Sequence, residues 1–285
     1  MKKLIERLLI FILGIPAVVA LVLILNYKSN LAMNMVAVIL SGIGAIELSS
    51  MLAKKQVRIP KIESFILGIL SPLSITLVVS FNAPSWIIPV LLMSGAGWIL
   101  VSIIFTKTSE IENVIFKVFG SFALIIYPGF FIYWLIKMNV WNNNYIILLF
   151  LITTFAYDSF AWLFGTLFGK NNRGIITVSP NKSIAGFIGG ILGSVSIVVC
   201  TAIFFPQIFP AVQSSYLLLF SVILGFFTSV AATFGDLAES AIKRSCDFKD
   251  SGTLMLGRGG VLDSIDSIAV AAPLFYALFH VMFLS

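Results

Sequence analysis

The chain has 285 residues, of which 59% are hydrophobic and 11% charged, and its mean hydropathy is +1.07. This composition excludes a soluble globular domain, which carries far more surface charge, and is typical of a polytopic membrane protein. The net charge of +6 does not indicate nucleic-acid binding, because the sequence contains no soluble module with a basic patch.

Nine apolar segments are long enough to cross a bilayer as helices, since a span needs about 20 mainly apolar residues. The sequence therefore predicts an all-α integral membrane protein in which residues 1–285 form a single membrane domain. The first segment is long and lacks a small-residue cleavage site, so we interpret it as an uncleaved span. The predicted spans are residues 4–26, 31–52, 64–81, 85–106, 113–136, 144–168, 184–205, 214–234 and 264–284.

The positions of Lys and Arg predict the orientation, because basic residues in short loops stay on the cytoplasmic side. With a cytoplasmic N-terminus, sixteen of the eighteen basic residues lie inside, and only Lys28 and Lys137 lie outside. This distribution explains the positive net charge. It also predicts an external C-terminus and a cytoplasmic location for residues 235–263.

Acidic residues divide the chain into two parts of different character. In residues 1–140, Glu47 lies near the cytoplasmic end of its span, and we interpret it as an interfacial residue without a functional role. Asp158 lies deeper, about two-thirds along the sixth span, where an ionisable group normally faces a bundle interior or a water-filled cavity. We therefore predict scaffold spans in 1–140 and the active site in 141–285. A structural, hydrogen-bonded Asp158 is the alternative.

The loop after the sixth span carries Lys170, Arg173 and Lys182, which suits a polyanionic ligand. Pro180 predicts a turn, and Ser183 is placed to cap the seventh span, so that Lys182 is held at the membrane surface as a phosphate contact. The glycines of this region are more typical of close helix packing than of ligand binding. They are Gly165, Gly169, Gly186, Gly189 and Gly190.

Half of the twelve acidic residues lie between residues 236 and 266. Residues 236–244 continue the eighth span without a helix breaker, which predicts one long helix with Asp236, Glu239 or Ser240, and Lys243 on one face. Asp263 and Asp266 share a face in the same way. A solvated, salt-bridged helix face is the alternative interpretation.

Carboxylates combined with Lys and Arg are the groups that phosphoryl or nucleotidyl transfer requires. Hard carboxylate oxygens bind Mg²⁺ together with substrate phosphates, and the cations neutralise the remaining phosphate oxygens. The single histidine, His280, lies near the external end of the last span. Histidine-based acid–base chemistry on the cytoplasmic side is therefore excluded.

Residues 240–266 form a long motif, Ser240-x-Ile242-Lys243-Arg244-x4-Lys249-Asp250-x-Gly252-x5-Arg258-Gly259-Gly260-Val261-x-Asp263-Ser264-Ile265-Asp266. This motif resembles the signature of the phosphatidate cytidylyltransferase family, and the blocks around Asp158-Ser159, Phe168-Gly169-Lys170 and Ser179-Pro180-x-Lys182-Ser183 resemble the family's upstream segments. The resemblance covers about residues 150–285. Residues 1–140 agree with the family only in being hydrophobic spans.

The resemblance implies a reaction of CTP with phosphatidic acid that gives CDP-diacylglycerol and pyrophosphate. It also implies a bacterial inner-membrane enzyme that needs Mg²⁺, with a second metal ion and a homodimer left open, and no nucleic-acid partner. Asp236 and Asp263 are the implied metal ligands, and Asp158 and Asp266 are further candidates. Lys243, Arg244 and Lys249 are the implied catalytic cations. The implied substrate contacts are Lys182, Ser179, Arg258, Gly259, Gly260, Ser240 and Asp250.

Two residues depart from the family pattern. Arg258 stands where the family has His, and Ser264 stands where it has Arg. Because of these departures, two alternatives stay open: the chain is a family member that acts on another lipid phosphate, or it is a relative that has lost catalysis. A transporter that uses Asp158 and Glu47 as an ion path is the alternative from a different class, although the charge is concentrated in a loop.

Overall fold

The computed structural model describes residues 14–106, 108–210, 214–255 and 259–284. Within these ranges the regular elements are helices, and no β-strand is present. Eight helical segments are long and apolar enough to cross a membrane: Tyr27–Lys54, Lys61–Phe81, Ile87–Ile104, Ile111–Trp141, Asn144–Leu167, Ile184–Phe204, Tyr216–Ser245 and Leu262–Phe283. They confirm the second to ninth predicted spans. The predicted first span, 4–26, begins outside the described residues, and its described part contains helix α1 (Ile15–Leu23).

The chain forms two compact units. The first unit comprises Met1–Asn142 and Ser245–Ile265, and the second comprises Asn143–Arg244 and Asp266–Ser285. The loop that carries most of the signature therefore packs with the N-terminal helices. That residues 1–285 act as a single membrane domain stays a prediction.

The first unit is built from helices that begin with α1. In α2 (Tyr27–Lys54), Lys28, Ser29 and Asn30 have left-handed φ angles of 47°, 53° and 58°, so the regular helix starts at Leu31, the predicted start of the span. A π-helical turn, Ile125–Phe130, joins α5 (Val114–Leu124) to α6 (Phe131–Lys137). The further helices of this unit are α2 (Tyr27–Lys54), α3 (Lys61–Phe81), α4 (Ile87–Ile104), α5 (Val114–Leu124) and α6 (Phe131–Lys137), with 3₁₀ helices at Thr108–Asn113 and Met138–Trp141.

Small residues bring α2 and α3 close together. A Cβ atom added to Gly68 would overlap the side chain of Ala45, and such close backbone approach is typical of membrane helix pairs. The Ser41 hydroxyl lies 2.8 Å from the Gly68 carbonyl oxygen and 2.6 Å from that of Pro128 in the π-helical turn. These two contacts fix helix α2 at Ser41, less than two turns before Glu47.

In the second unit, α7 and α8 pack through glycines. Cβ atoms added to Gly189 and Gly190 would overlap the rings of Phe164 and Tyr157, which confirms the packing role predicted for these two glycines. The helices that lie wholly or mostly in this unit are α7 (Asn144–Leu167), α8 (Ile184–Phe204), α9 (Ser214–Ser245) and α10 (Leu262–Phe283), with a 3₁₀ helix at Pro206–Ile208.

Helix α9 is continuous over 32 residues, as the absence of a helix breaker predicted. At 1.5 Å per residue it is about 48 Å long, whereas the hydrocarbon core of a bilayer is about 30 Å thick. The C-terminal end of α9 carries Lys243 and Arg244 in its last turn. The apolar membrane span and the charged residues at its C-terminal end therefore belong to one continuous helix.

Candidate active site

Two predicted site residues of the second unit form an ion pair. Lys182 Nζ contacts Asp236 Oδ2, and the side chains are 22% and 28% exposed. Lys182 was predicted as a phosphate contact and Asp236 as a metal ligand. The structure brings both together at one partly buried place.

Local structure before α8 holds Lys182 in position. The backbone N–H of Lys182 donates to the Ser179 carbonyl at 3.1 Å, which closes the turn around Pro180. The Ser183 side chain is buried and accepts the Gly186 N–H at 3.1 Å as the N-cap of α8. The predicted turn and cap are both confirmed.

A second ion pair lies one turn further along α9. Glu239 is fully buried and pairs with Lys243 four residues later, whose side chain is 11% exposed. This spacing is the ordinary one for a stabilising helix pair. Ser240, a predicted substrate contact, is buried at the next position.

Carboxylates are concentrated around Asp266, which is 7% exposed. Asp158, Asp236 and Glu239 each lie close enough to interact with it electrostatically. A Cβ atom at Gly235 would overlap the Asp266 carbonyl oxygen, so the glycine permits this approach of α9 to α10. Neighbouring carboxylates repel one another, so they stay close together only when one of them takes up a proton or when a cation binds between them. The cluster therefore favours cation binding.

The predicted metal ligand Asp263 belongs to the first unit, where donors from the signature loop surround it. Its Oδ2 accepts the N–H of Gly260 at 2.7 Å, the N–H of Ser251 at 2.8 Å and the Ser251 hydroxyl at 2.9 Å. Gly259 adopts φ of +102°, a conformation that L side chains rarely adopt. Gly259 and Gly260 thus shape the loop around a carboxylate.

The interfacial interpretation of Glu47 is wrong. Its side chain is buried, at 9% exposure, and accepts hydrogen bonds from Ser251, Val261 and Leu262. Neither Glu47 nor Ser251 was among the predicted site residues. A carboxylate inside a span requires a partner, and this rule is the sequence signal that could have identified Glu47.

The remaining predicted site residues are distributed along both units. Arg244 is exposed at the end of α9, and Lys249 and Asp250 are exposed in the loop of the first unit, while Ser179 is half-buried. Two surface contacts join the same loop to the C-terminal end of α2, namely a long, exposed pair of Lys55 with Asp247 at 3.9 Å and Lys54 over the Phe248 ring at 5.8 Å. Arg258 lies outside the described residues.

The carboxylates around Asp266 suit the way in which proteins usually bind Mg²⁺. Among the described residues, no three or more His, Cys, Asp or Glu side chains are arranged to hold a metal by themselves. Mg²⁺ generally uses one or two carboxylates and takes its other ligands from water and substrate phosphates. One or two of the Asp158, Asp236 and Asp266 carboxylates can meet that requirement, and Lys182 is paired with Asp236.

Comparison with known proteins gives a match over nearly the whole chain. Residues 5–282 match the cytidylyltransferase family. A phosphatidate cytidylyltransferase of Thermotoga maritima is 33% identical over 205 residues, which are 71% of this chain and 72% of the relative. Those of Staphylococcus saprophyticus and Staphylococcus epidermidis are 29% and 30% identical over 263 residues, which are 91% of this chain and 95% of each relative.

Proposed function

This chain belongs to the cytidylyltransferase family, and we propose that it transfers the cytidylyl group of CTP to phosphatidic acid. The products are CDP-diacylglycerol and pyrophosphate, as required for phospholipid biosynthesis. The observation that carries this assignment is the family match over residues 5–282. The matched range includes the charged side chains around Asp266 and those around Asp263. Relatives with this activity in their names align over 95% of their length.

The location of the charged residues suits one substrate in water and another in lipid. Lys182 and Asp236 adjoin the apolar helices α8 and α9 and retain partial exposure. A lipid phosphate can reach such a position while its acyl chains stay in the bilayer. The distribution of Lys and Arg supports a site on the cytoplasmic side of the inner membrane.

The transfer does not need a general base. A phosphate monoester has its second pKa near 6 and is largely a dianion at neutral pH. One of its oxygens forms a bond to the α-phosphorus of CTP, and the bond between that phosphorus and the β-phosphate oxygen breaks with the electron pair leaving on pyrophosphate. The protein's tasks are to position the two anions and to neutralise their charge.

The side chains divide these tasks by charge. Lys182, Lys243, Arg244 and Lys249 are the proposed contacts to phosphate oxygens, as charge-assisted donors. Ion pairs with Asp236 and Glu239 hold Lys182 and Lys243 in partly buried positions before substrate arrives.

The carboxylates provide the proposed metal ligands. One or two of Asp236, Asp158 and Asp266 would hold Mg²⁺, and Asp263 remains a predicted ligand on the basis of the signature. When bound, Mg²⁺ would neutralise charge on the α-phosphate of CTP and on the leaving pyrophosphate. Ser179, Ser240, Asp250, Arg258, Gly259 and Gly260 remain proposed substrate contacts.

The test is incorporation of radiolabelled CTP into chloroform-extractable lipid by purified protein with phosphatidic acid. Product should require Mg²⁺, disappear on chelation and return on readdition of Mg²⁺. Asp236→Asn should abolish turnover. Asp247→Asn is the matched control, because Asp247 has an 85% exposed side chain in a long surface pair and its loss should leave activity intact.

Failure would be equally clear. If folded protein forms no labelled lipid with phosphatidic acid, other lipid phosphates or other divalent metals, the cytidylyltransferase assignment is wrong for this chain. If Asp236→Asn retains near-full activity, the metal-ligand assignment of Asp236 is wrong while the reaction stands.

A further inference from the structure

The buried carboxylate of Glu47 holds the two ends of the signature loop. Its Oε1 accepts the Val261 N–H at 3.0 Å, and its Oε2 accepts the Leu262 N–H at 2.8 Å and the Ser251 hydroxyl at 2.9 Å. A buried ionisable group is costly unless such donors satisfy it. Because Glu47 lies on α2, an N-terminal helix thereby fixes a loop more than 200 residues later in the chain.

Two glycines of the signature are explained by the same carboxylate. A Cβ atom at Gly252 would overlap Glu47 Oε1 and lie 2.9 Å from Glu47 Cδ, which are its two nearest atoms. At Gly260, a Cβ atom would lie 2.5 Å from Glu47 Oε2 and would also overlap the Ser251 hydroxyl. The loop can wrap around Glu47 only because both positions lack a side chain.

Ser251 connects Glu47 to the predicted metal ligand Asp263. Its hydroxyl lies 2.9 Å from both Glu47 Oε2 and Asp263 Oδ2, so its one proton serves one carboxylate at a time. Its backbone N–H stays on Asp263 at 2.8 Å. Displacement of Ser251 would therefore remove donors from both carboxylates.

We infer that Glu47 is a positioning residue for Asp263: it fixes the signature loop, and through Ser251 it sets the orientation of the Asp263 carboxylate. The inference rests on the proposed function for its effect on turnover. Its structural part does not, because the order of the loop can be measured without any substrate. Glu47 and Gly252 should also be energetically coupled.

The first measurement is hydrogen exchange of the peptide that spans residues 251–262, in purified protein without substrate. In Glu47→Gln, an amide N–H₂ replaces one carboxylate oxygen, so either Val261 or both Leu262 and the Ser251 hydroxyl lose their acceptor. Exchange of Val261 or of Leu262 should accelerate by tenfold or more, while peptides from α7 and α8 stay unchanged. Unchanged exchange in this peptide would overturn the inference, whatever the activity.

The second measurement is turnover, with half-saturating Mg²⁺ determined for each variant. Glu47→Gln should lower kcat by roughly 10- to 100-fold, the usual cost of losing an outer partner of a metal ligand, and should raise the half-saturating Mg²⁺ concentration. KM for CTP should change less than twofold. Glu112→Gln, an exposed carboxylate on the 3₁₀ helix Thr108–Asn113, is the matched control and should behave like wild type.

A double-mutant cycle separates the specific contact from general damage. Gly252→Ala should impair the wild-type protein at least tenfold, because the new methyl group meets Glu47, but should cost less than twofold in a Glu47→Ala background. Equal effects in both backgrounds would overturn the coupling. An inactive wild type would instead refute the proposed function, and the exchange measurement would still decide the role of Glu47.

Discussion

Replacement of Asp263 by Asn and by Ala separates the catalytic role of this residue from its structural role. Its Oδ2 accepts three hydrogen bonds, at 2.7, 2.8 and 2.9 Å. The oxygen of Asn can keep all three but without the charge. Bonds to charged groups contribute about 1.5–3 kcal/mol and neutral ones about 0.5–1.5, so each bond should lose about 1–1.5 kcal/mol. Because the Ser251 hydroxyl is shared with Glu47, Asn should lower the free energy of unfolding by about 2–4 kcal/mol.

Alanine should have a larger effect on stability, because the backbone N–H groups of Gly260 and Ser251 would lose their acceptor, while the Ser251 hydroxyl keeps Glu47 as its acceptor. Each buried donor left without a partner costs about 1–3 kcal/mol. Thermal unfolding in detergent, followed by circular dichroism, should rank wild type above Asn and Asn above Ala. Labelled-lipid formation should be lost in both variants, since neither provides a carboxylate for a metal.

The two readouts can contradict the reasoning independently. If Asp263→Asn keeps near-full activity at the Mg²⁺ concentration used for wild type, the predicted ligand role is refuted, even if the variants show the expected order of stability. Equal unfolding temperatures of the Asn and Ala variants would show that the three hydrogen bonds do not stabilise the loop.

Three other changes test the site. Lys182→Met should lower kcat/KM by roughly 10- to 100-fold through loss of one charge-assisted contact, whereas the exposed Lys61→Met should not; equal effects would contradict the phosphate role. Ser183→Ala should lose about 1 kcal/mol of helix capping and about 2–4 °C in Tm, and an unchanged Tm would show that the cap is dispensable. Arg258→His and Ser264→Arg, singly and together, should act non-additively on kcat/KM if Arg258 supplies the charge that Ser264 lacks; independent effects would exclude this compensation.

Apolar length and local chemistry were sufficient to predict the helices and their caps. Eight predicted spans correspond to helices, because a bilayer imposes a nearly fixed apolar length that any window of residues reveals. Ser183 was predictable for the same reason, since an N-cap depends on residues within one turn. The continuity of α9 through Lys243 followed from the absence of Pro in this segment.

Partners distant in sequence could not be predicted. Lys182 and Asp236 were each assigned a role, but their pairing depends on how α8 and α9 pack. Glu47 was misinterpreted because its position along a span indicates depth and not the identity of its neighbours. Its donors Ser251 and Leu262 are more than 200 residues away, a separation at which sequence periodicity carries no information.

The position of the signature loop in the first unit has a consequence for synthesis. Glu47 is synthesised 204 residues before Ser251, and at about 5–20 residues per second this interval lasts roughly 10–40 seconds. Throughout that time the helices of the first unit carry a carboxylate whose final donors do not yet exist. The N-terminal helices of this enzyme therefore acquire the hydrogen-bond partners of Glu47 only after the signature loop has been synthesised.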